Sequence, residues 1–125
     1  MKAILIDSDI LIDVARARDP RLLAQWTELS GSDAVMACSP VTLAEMWHGA
    51  RPHEYKILAA LFQAMTCIPI GPEIGRRAGD YLRQFAKSHH VELGDALIAA
   101  TATIHNLTLW THNRKHYPMK DFQFF

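Results

Sequence analysis

The sequence predicts an α/β domain of three layers, a mostly parallel central sheet flanked by helices. Two observations carry this. Four short apolar runs, Ala3–Ile6, Ala34–Cys38, Met65–Ile70 and Leu107–Trp110, each stop at a polar or turn-forming residue. Longer segments between them space their apolar residues three and four apart, the helical period.

Each element has its own reason. Ala3–Ile6 is apolar throughout and ends at Asp7, which suits a strand covered on both faces. A helix follows from Ile10 to about Ala17. Asp19-Pro20 then reads as an N-cap with proline at the first helical position, and Leu22, Leu23 and Trp26 give an apolar face up to Gly31. Ala34–Cys38 is the second strand, stopped by Ser39-Pro40. A helix runs on through Thr42 and Trp47 to Gly49. Ile57–Ala64 is a further helix, Met65–Ile70 a third strand ended by Gly71-Pro72. Glu73–Lys87 is amphipathic, with Ile74, Ala78, Leu82 and Phe85 inward. Asp95–His105 is a helix rich in alanine, able to pack closely. Leu107–Trp110 is a late strand ending at Thr111, and Asp121–Phe125 adds an edge strand.

The chain has 125 residues, half of them hydrophobic, and reads as one domain over 1–125. A chain of this size buries roughly two-thirds of its unfolded surface, enough for its own core. Thirteen basic and thirteen acidic residues cancel, which argues against a bulk electrostatic grip on nucleic acid and leaves a local one open. Cys38 and Cys67 have no metal-like spacing and read as small buried hydrophobes in a reducing compartment. One lysine followed by four apolar residues before Asp7 is too short for a secretory signal, and no apolar run approaches the ~20 residues of a membrane span. The expectation is a cytoplasmic, soluble protein.

ILIDSDILID sets Asp7, Asp9 and Asp13 at and just after an apolar strand, where an unpartnered carboxylate is costly. Sites in parallel sheets lie beyond the carboxyl ends of the strands, so Asp7 and the segment Thr111 to Asn113 should share one rim. Glu45 and Asp95 fall at helix starts. Each acid has a local explanation. Asp7 can cap the helix after the strand. Glu45 stands three residues after Thr42, the capping-box spacing. Asp95 follows Gly94 at the opening of a helix. Should the three converge, they repel one another unless a hard divalent cation with oxygen ligands sits among them.

Four stretches, in order, resemble the PIN domain family, and in particular its VapC-type toxins of bacterial toxin–antitoxin pairs. ILIDSDILID is similar to the opening strand and first acid, landing on Asp7. SPVTLAEMWHGA resembles the second motif, its glutamate on Glu45. GDALIAATA resembles the third, its aspartate on Asp95, and LTLWTHNRKHY the closing Thr-x-Asn, on Thr111 and Asn113. The resemblance runs over nearly the whole chain. It implies a single three-layer PIN-like domain and a Mg²⁺- or Mn²⁺-dependent endoribonuclease, with Asp7, Glu45 and Asp95 as catalytic and metal-holding acids. It also implies an RNA substrate, a cognate antitoxin and a homodimer. Asp9, Asn113, Thr111 and Ser8 are possible supporting residues. Asp9 stands where the family commonly has asparagine, and Asn113 and His116 stand where a fourth acid is often found.

Around these lie residues with ordinary explanations. His48 shares a helix face with Glu45 and reads as a surface histidine. His89, His90, His112 and His116 show no zinc spacing. Arg16, Arg18, Arg51, Arg114 and Lys115 would touch phosphates only if they ring the site. Trp47 and Trp110 read as core, and Leu58, Leu61 and Phe62 form an apolar face for a dimer or an antitoxin helix. Two other functions stay open. One is a PIN-like binding module whose metal site Asn113 and His116 have weakened. The other is a haloacid dehalogenase-like phosphatase, with Asp7 as nucleophile and Asp9 as acid/base; the absence of any Asp-Asp pair and the short chain speak against it.

Overall fold

A computed structural model describes residues 2–125. In chain order the elements are β1 (Ala3–Ile6), α1 (Ser8–Ala15), α2 (Pro20–Ser30), β2 (Val35–Cys38), α3 (Pro40–Gly49), α4 (Tyr55–Gln63), β3 (Thr66–Cys67), α5 (Pro72–His89), α6 (Leu93–Ile104) and β4 (Thr108–Trp110). Short 3-10 turns occupy Pro52–Glu54 and Arg114–His116. The strands run β3-β2-β1-β4, and every pairing is parallel. Ile4 pairs with Met36 on one side and Thr108 on the other, so β1 is interior to the sheet. Its Ile4, Leu5 and Ile6 are buried, as a strand covered on both faces requires.

Side-chain alternation builds the two outer layers. Leu5, Ala37 and Leu109 face the layer of α5 and α6, with Ile74, Ala78, Tyr81 and the alanines of α6. Ile4, Ile6, Met36, Cys38 and Trp110 face α1 to α4, meeting Ile10, Leu11, Leu22, Met46 and Leu58. Helix starts follow the sequence signals. Asp7, Asp19 and Ser39 cap α1, α2 and α3 with their side chains, and Pro20 and Pro40 take the first helical positions of α2 and α3.

The structure corrects several expectations. The third strand is Thr66–Cys67, not Met65–Ile70, because Pro69 has no N–H to extend the ladder; one further bond, Ile68 N–H to the Cys38 carbonyl, closes it. The expected edge strand at 121–125 is reduced to a single parallel bridge, Leu109 with Phe124, and its phenylalanines hold by packing. Helix α1 starts at Ser8 and α6 at Leu93, each two residues before the expected start. The capping-box reading of Glu45 fails, since Ser39 is the cap and Glu45 lies well inside α3. Leu58 is core, not a free face. Trp47 is 40% exposed: Thr42 and Met46 form the buried stripe of α3 and turn Trp47 outward against Tyr55 and Phe62. Trp110 is core, as expected. Cys38 is buried, whereas Cys67, on the sheet edge, is exposed. The amphipathic face of α5 also buries Tyr81, which a purely apolar pattern passes over.

Candidate active site

The carboxyl ends of β1 and β4 lie side by side, and the Asp7 N–H donates to the Trp110 carbonyl at 3.0 Å. Asp7 is 8% exposed. Its Oδ1 accepts the Ser8 N–H at 2.8 Å, the bond that caps α1. Its Oδ2 accepts the Tyr117 hydroxyl at 2.7 Å and the Thr111 hydroxyl at 3.0 Å. Asp9 lies in the first turn of α1. Its Oδ2 gathers the Thr111 hydroxyl at 3.2 Å, the His112 N–H at 3.0 Å and the Asn113 side-chain amide at 3.0 Å. Its Oδ1 is buried with no hydrogen-bond partner among the described residues. Thr111 has one proton for two carboxylates and itself accepts the Asn113 N–H at 3.1 Å.

Glu45 arrives from α3 and accepts the Ser8 hydroxyl at 3.5 Å; Asp95 arrives from the first turn of α6. Asp7, Ser8, Asp9, Glu45, Asp95 and Asn113 line one cleft of about 580 Å³, which His89, His90, Glu92, Lys115 and His116 complete. Thr111 is buried against Asp7 and Asp9. The structure therefore brings together residues from α1, α3, α6 and the loop after β4 that are up to 106 positions apart, from Asp7 to Asn113.

Burial and mutual repulsion dominate the electrostatics. Burial, then the charge of Asp7, pushes the Asp9 carboxyl above its usual range. Partial loss of water, then Asp7 and Asp95, does the same to Glu45. Burial raises Asp95, while His116 pulls it the other way. Burial and the neighbouring Asp7 charge also push the Tyr117 hydroxyl far upward, so it stays a donor. None of the four acids takes part in a salt bridge among the described residues. Hard oxygen donors that repel one another, with one buried oxygen unpartnered, have the donor chemistry that suits a hard divalent cation. Among the described residues, no three His, Cys, Asp or Glu side chains converge at metal-ligand spacing. Asp9 turns to the loop after β4 and Glu45 to Ser8.

Of the cations suggested by sequence, only Lys115 lines the cleft. Arg16 pairs with Glu54 and Arg18 with Asp13. Sequence reasoning missed Tyr117 and Glu92. Tyr117 follows a polar run in the closing segment, where nothing in the spacing ties it to Asp7. Glu92 stands three residues before Asp95, one helical turn, and that signal was available. His89 and His90 belong to the cleft although they show no ligand spacing, because α5 ends at its mouth.

A parallel sheet between two helical layers, with acids gathered beyond β1 and β4, is a three-layer α/β domain with its site at the carboxyl ends of the strands. The PIN domain family profile matches residues 4–121, and the chain belongs to that family. It is similar to Ribonuclease VapC10 of Mycobacterium tuberculosis, with 39% identity over 93% of this chain and 86% of that one. Among solved structures, it is similar to a toxin-antitoxin complex from Klebsiella pneumoniae, with a TM-score of 0.74 and 26% identity over 96% of this chain and 98% of that one. VapBC2 from Rickettsia felis, bound to a DNA fragment from their promoter, gives a TM-score of 0.83 at 18% identity, covering 98% and 97%, and supports the fold alone. Family and fold set aside the haloacid dehalogenase-like reading. Among the described residues, no helix is long and apolar enough to cross a membrane.

Proposed function

We propose that this protein is an endoribonuclease, the toxin of a toxin–antitoxin pair, acting in the cytoplasm. The observation that carries the reading is the meeting of Asp7, Asp9, Glu45 and Asp95 in one cleft beyond the strand ends, without a salt-bridge partner among the described residues. The names of its relatives support both halves of it: a ribonuclease at 39% identity and a toxin-antitoxin complex at 26%. A protein antitoxin and a second copy of the chain are the partners that follow from family membership.

Asp7, Glu45 and Asp95 are the residues proposed to hold a Mg²⁺ or Mn²⁺ ion, with Asp9 beside them. When bound, the ion would polarise a water and offset charge on the scissile phosphate. The chain supplies the rest. Asp7 is fixed by three donors, so its carboxylate stays in one orientation. Ser8 orients Glu45, and Thr111 and Asn113 orient Asp9. Lys115 offers the RNA backbone a positive group, and the histidines of the rim offer it ring N–H donors.

Cleavage of transfer, ribosomal and messenger RNA by the purified protein, with added Mg²⁺ or Mn²⁺ and with chelator, is the test. The expected result is metal-dependent cutting that Asp7→Asn and Asp95→Asn each lower by at least ~100-fold, on the scale of lost transition-state charge stabilisation. Undiminished cutting in excess chelator overturns the metal assignment. No cutting of any RNA by folded, metal-loaded protein favours the binding module instead.

A further inference from the structure

A carboxylate has about four lone-pair sites, two on each oxygen. At Asp7, Oδ2 receives Tyr117 and Thr111, and Oδ1 receives the Ser8 N–H. Three sites are filled and one remains, on Oδ1. The three donors are not equal. The Ser8 bond belongs to the helix cap, and the Thr111 proton is divided between Asp7 and Asp9. The Tyr117 hydroxyl has one acceptor only, at 2.7 Å, and its side chain is 3% exposed. Its ring is anchored in the α5–α6 layer and meets Phe122 edge to face, with ring centres 6.4 Å apart.

From this lone-pair count we infer that Tyr117 is a positioning residue: it locks Oδ2 of Asp7 and so leaves Oδ1 as the one oxygen that Asp7 offers to a divalent cation. The inference rests on the metal reading above. It assigns to this chain the partner of Asp7 that sets the ligand's orientation, and it makes Asp7 a one-oxygen ligand. Partners of this kind commonly change metal affinity by 10- to 100-fold when removed.

The test is Mn²⁺ binding by the full chain, measured by titration calorimetry on wild type, Tyr117→Phe and Tyr81→Phe, with RNA cleavage measured alongside. Tyr117→Phe keeps the ring and removes only the hydroxyl. The expected result is a Mn²⁺ dissociation constant raised about 10-fold or more, with a lower kcat and an unchanged KM for RNA. Tyr81→Phe removes a hydroxyl of the same kind outside the cleft and should bind Mn²⁺ as wild type does. Equal or tighter Mn²⁺ binding by a folded Tyr117→Phe overturns the inference and leaves the ribonuclease reading intact. No Mn²⁺ binding by the wild type overturns the metal reading and this inference with it. Should Tyr117→Phe not fold, the wild-type Tyr117 hydroxyl proton serves instead, followed by NMR. It should shift on Mg²⁺ addition, and a resonance that saturating Mg²⁺ leaves unmoved overturns the inference.

Discussion

Asn113 donates its side-chain amide to Oδ2 of Asp9 at 3.0 Å and so ties the loop after β4 to the first turn of α1. The Asn113→Asp variant replaces that donor with a second negative charge. It is expected to lose about 1 kcal/mol of stability at pH 7.5 in chelator. The loss should shrink toward pH 4.5, as one of the two acids takes up a proton. Urea denaturation at both pH values checks this. A variant as stable as wild type at pH 7.5 would show that the bond contributes nothing.

The raised acids set the sign of a pH effect. Asp9, Glu45 and Asp95 have folded-state values above their ordinary 3.8, 4.5 and 3.8. Between those ordinary values and the higher folded ones, the folded state holds more protons than the unfolded one. Stability therefore falls as pH rises through that window, and the deficit persists above it. Glu45→Gln is expected to melt higher than wild type at pH 7.5 in chelator, with the advantage fading as pH drops toward 4.5. Thermal melts across pH decide it. An advantage independent of pH would mean that charge is not its source.

Lys115 is the one lysine among the described residues that lines the cleft, and under the proposed function it would contact RNA phosphate. Lys115→Ala is expected to raise KM a few-fold while kcat holds. The slope of log KM against log salt should fall by about one. A changed kcat at constant KM would place Lys115 at the reaction instead.

Tyr81 lies outside the cleft and tests the fold alone. Its buried hydroxyl donates to Asp121 at 2.7 Å and lies 2.7 Å from the Thr103 hydroxyl. Tyr81→Phe is expected to cost about 1 kcal/mol in urea denaturation, since it removes the part-buried hydrogen bonds to Asp121 and Thr103. RNA cleavage by the folded variant should match wild type.

The alternation of apolar runs and amphipathic helices was enough to read the three layers, because burial on both faces leaves an unbroken apolar strand such as Ile4–Ile6. The residues around the cleft were legible where a motif holds them in fixed order, as at Asp7, Glu45, Asp95 and Asn113. Tyr117 was not, because its tie to Asp7 spans 110 positions and depends on how the closing segment wraps back under the sheet. Trp47 misled for a simpler reason. A large aromatic residue is expected inside, yet the period of α3 had already committed Thr42 and Met46 to that face. The length of β3 could have been read from Pro69 alone.

The place of β1 within the sheet has a temporal consequence. Its partner β4 lies about 100 residues later, with Ile4 opposite Thr108. At roughly 5–20 residues per second of synthesis, β1 waits on the order of 5–20 s at the ribosome before that neighbour exists. Asp7 waits longer still for Tyr117. A nascent chain therefore has its first acid but neither of the hydroxyls that hold Oδ2. A ribonuclease built this way completes the surroundings of its first acid only after the segment through Tyr117 has been made and has folded.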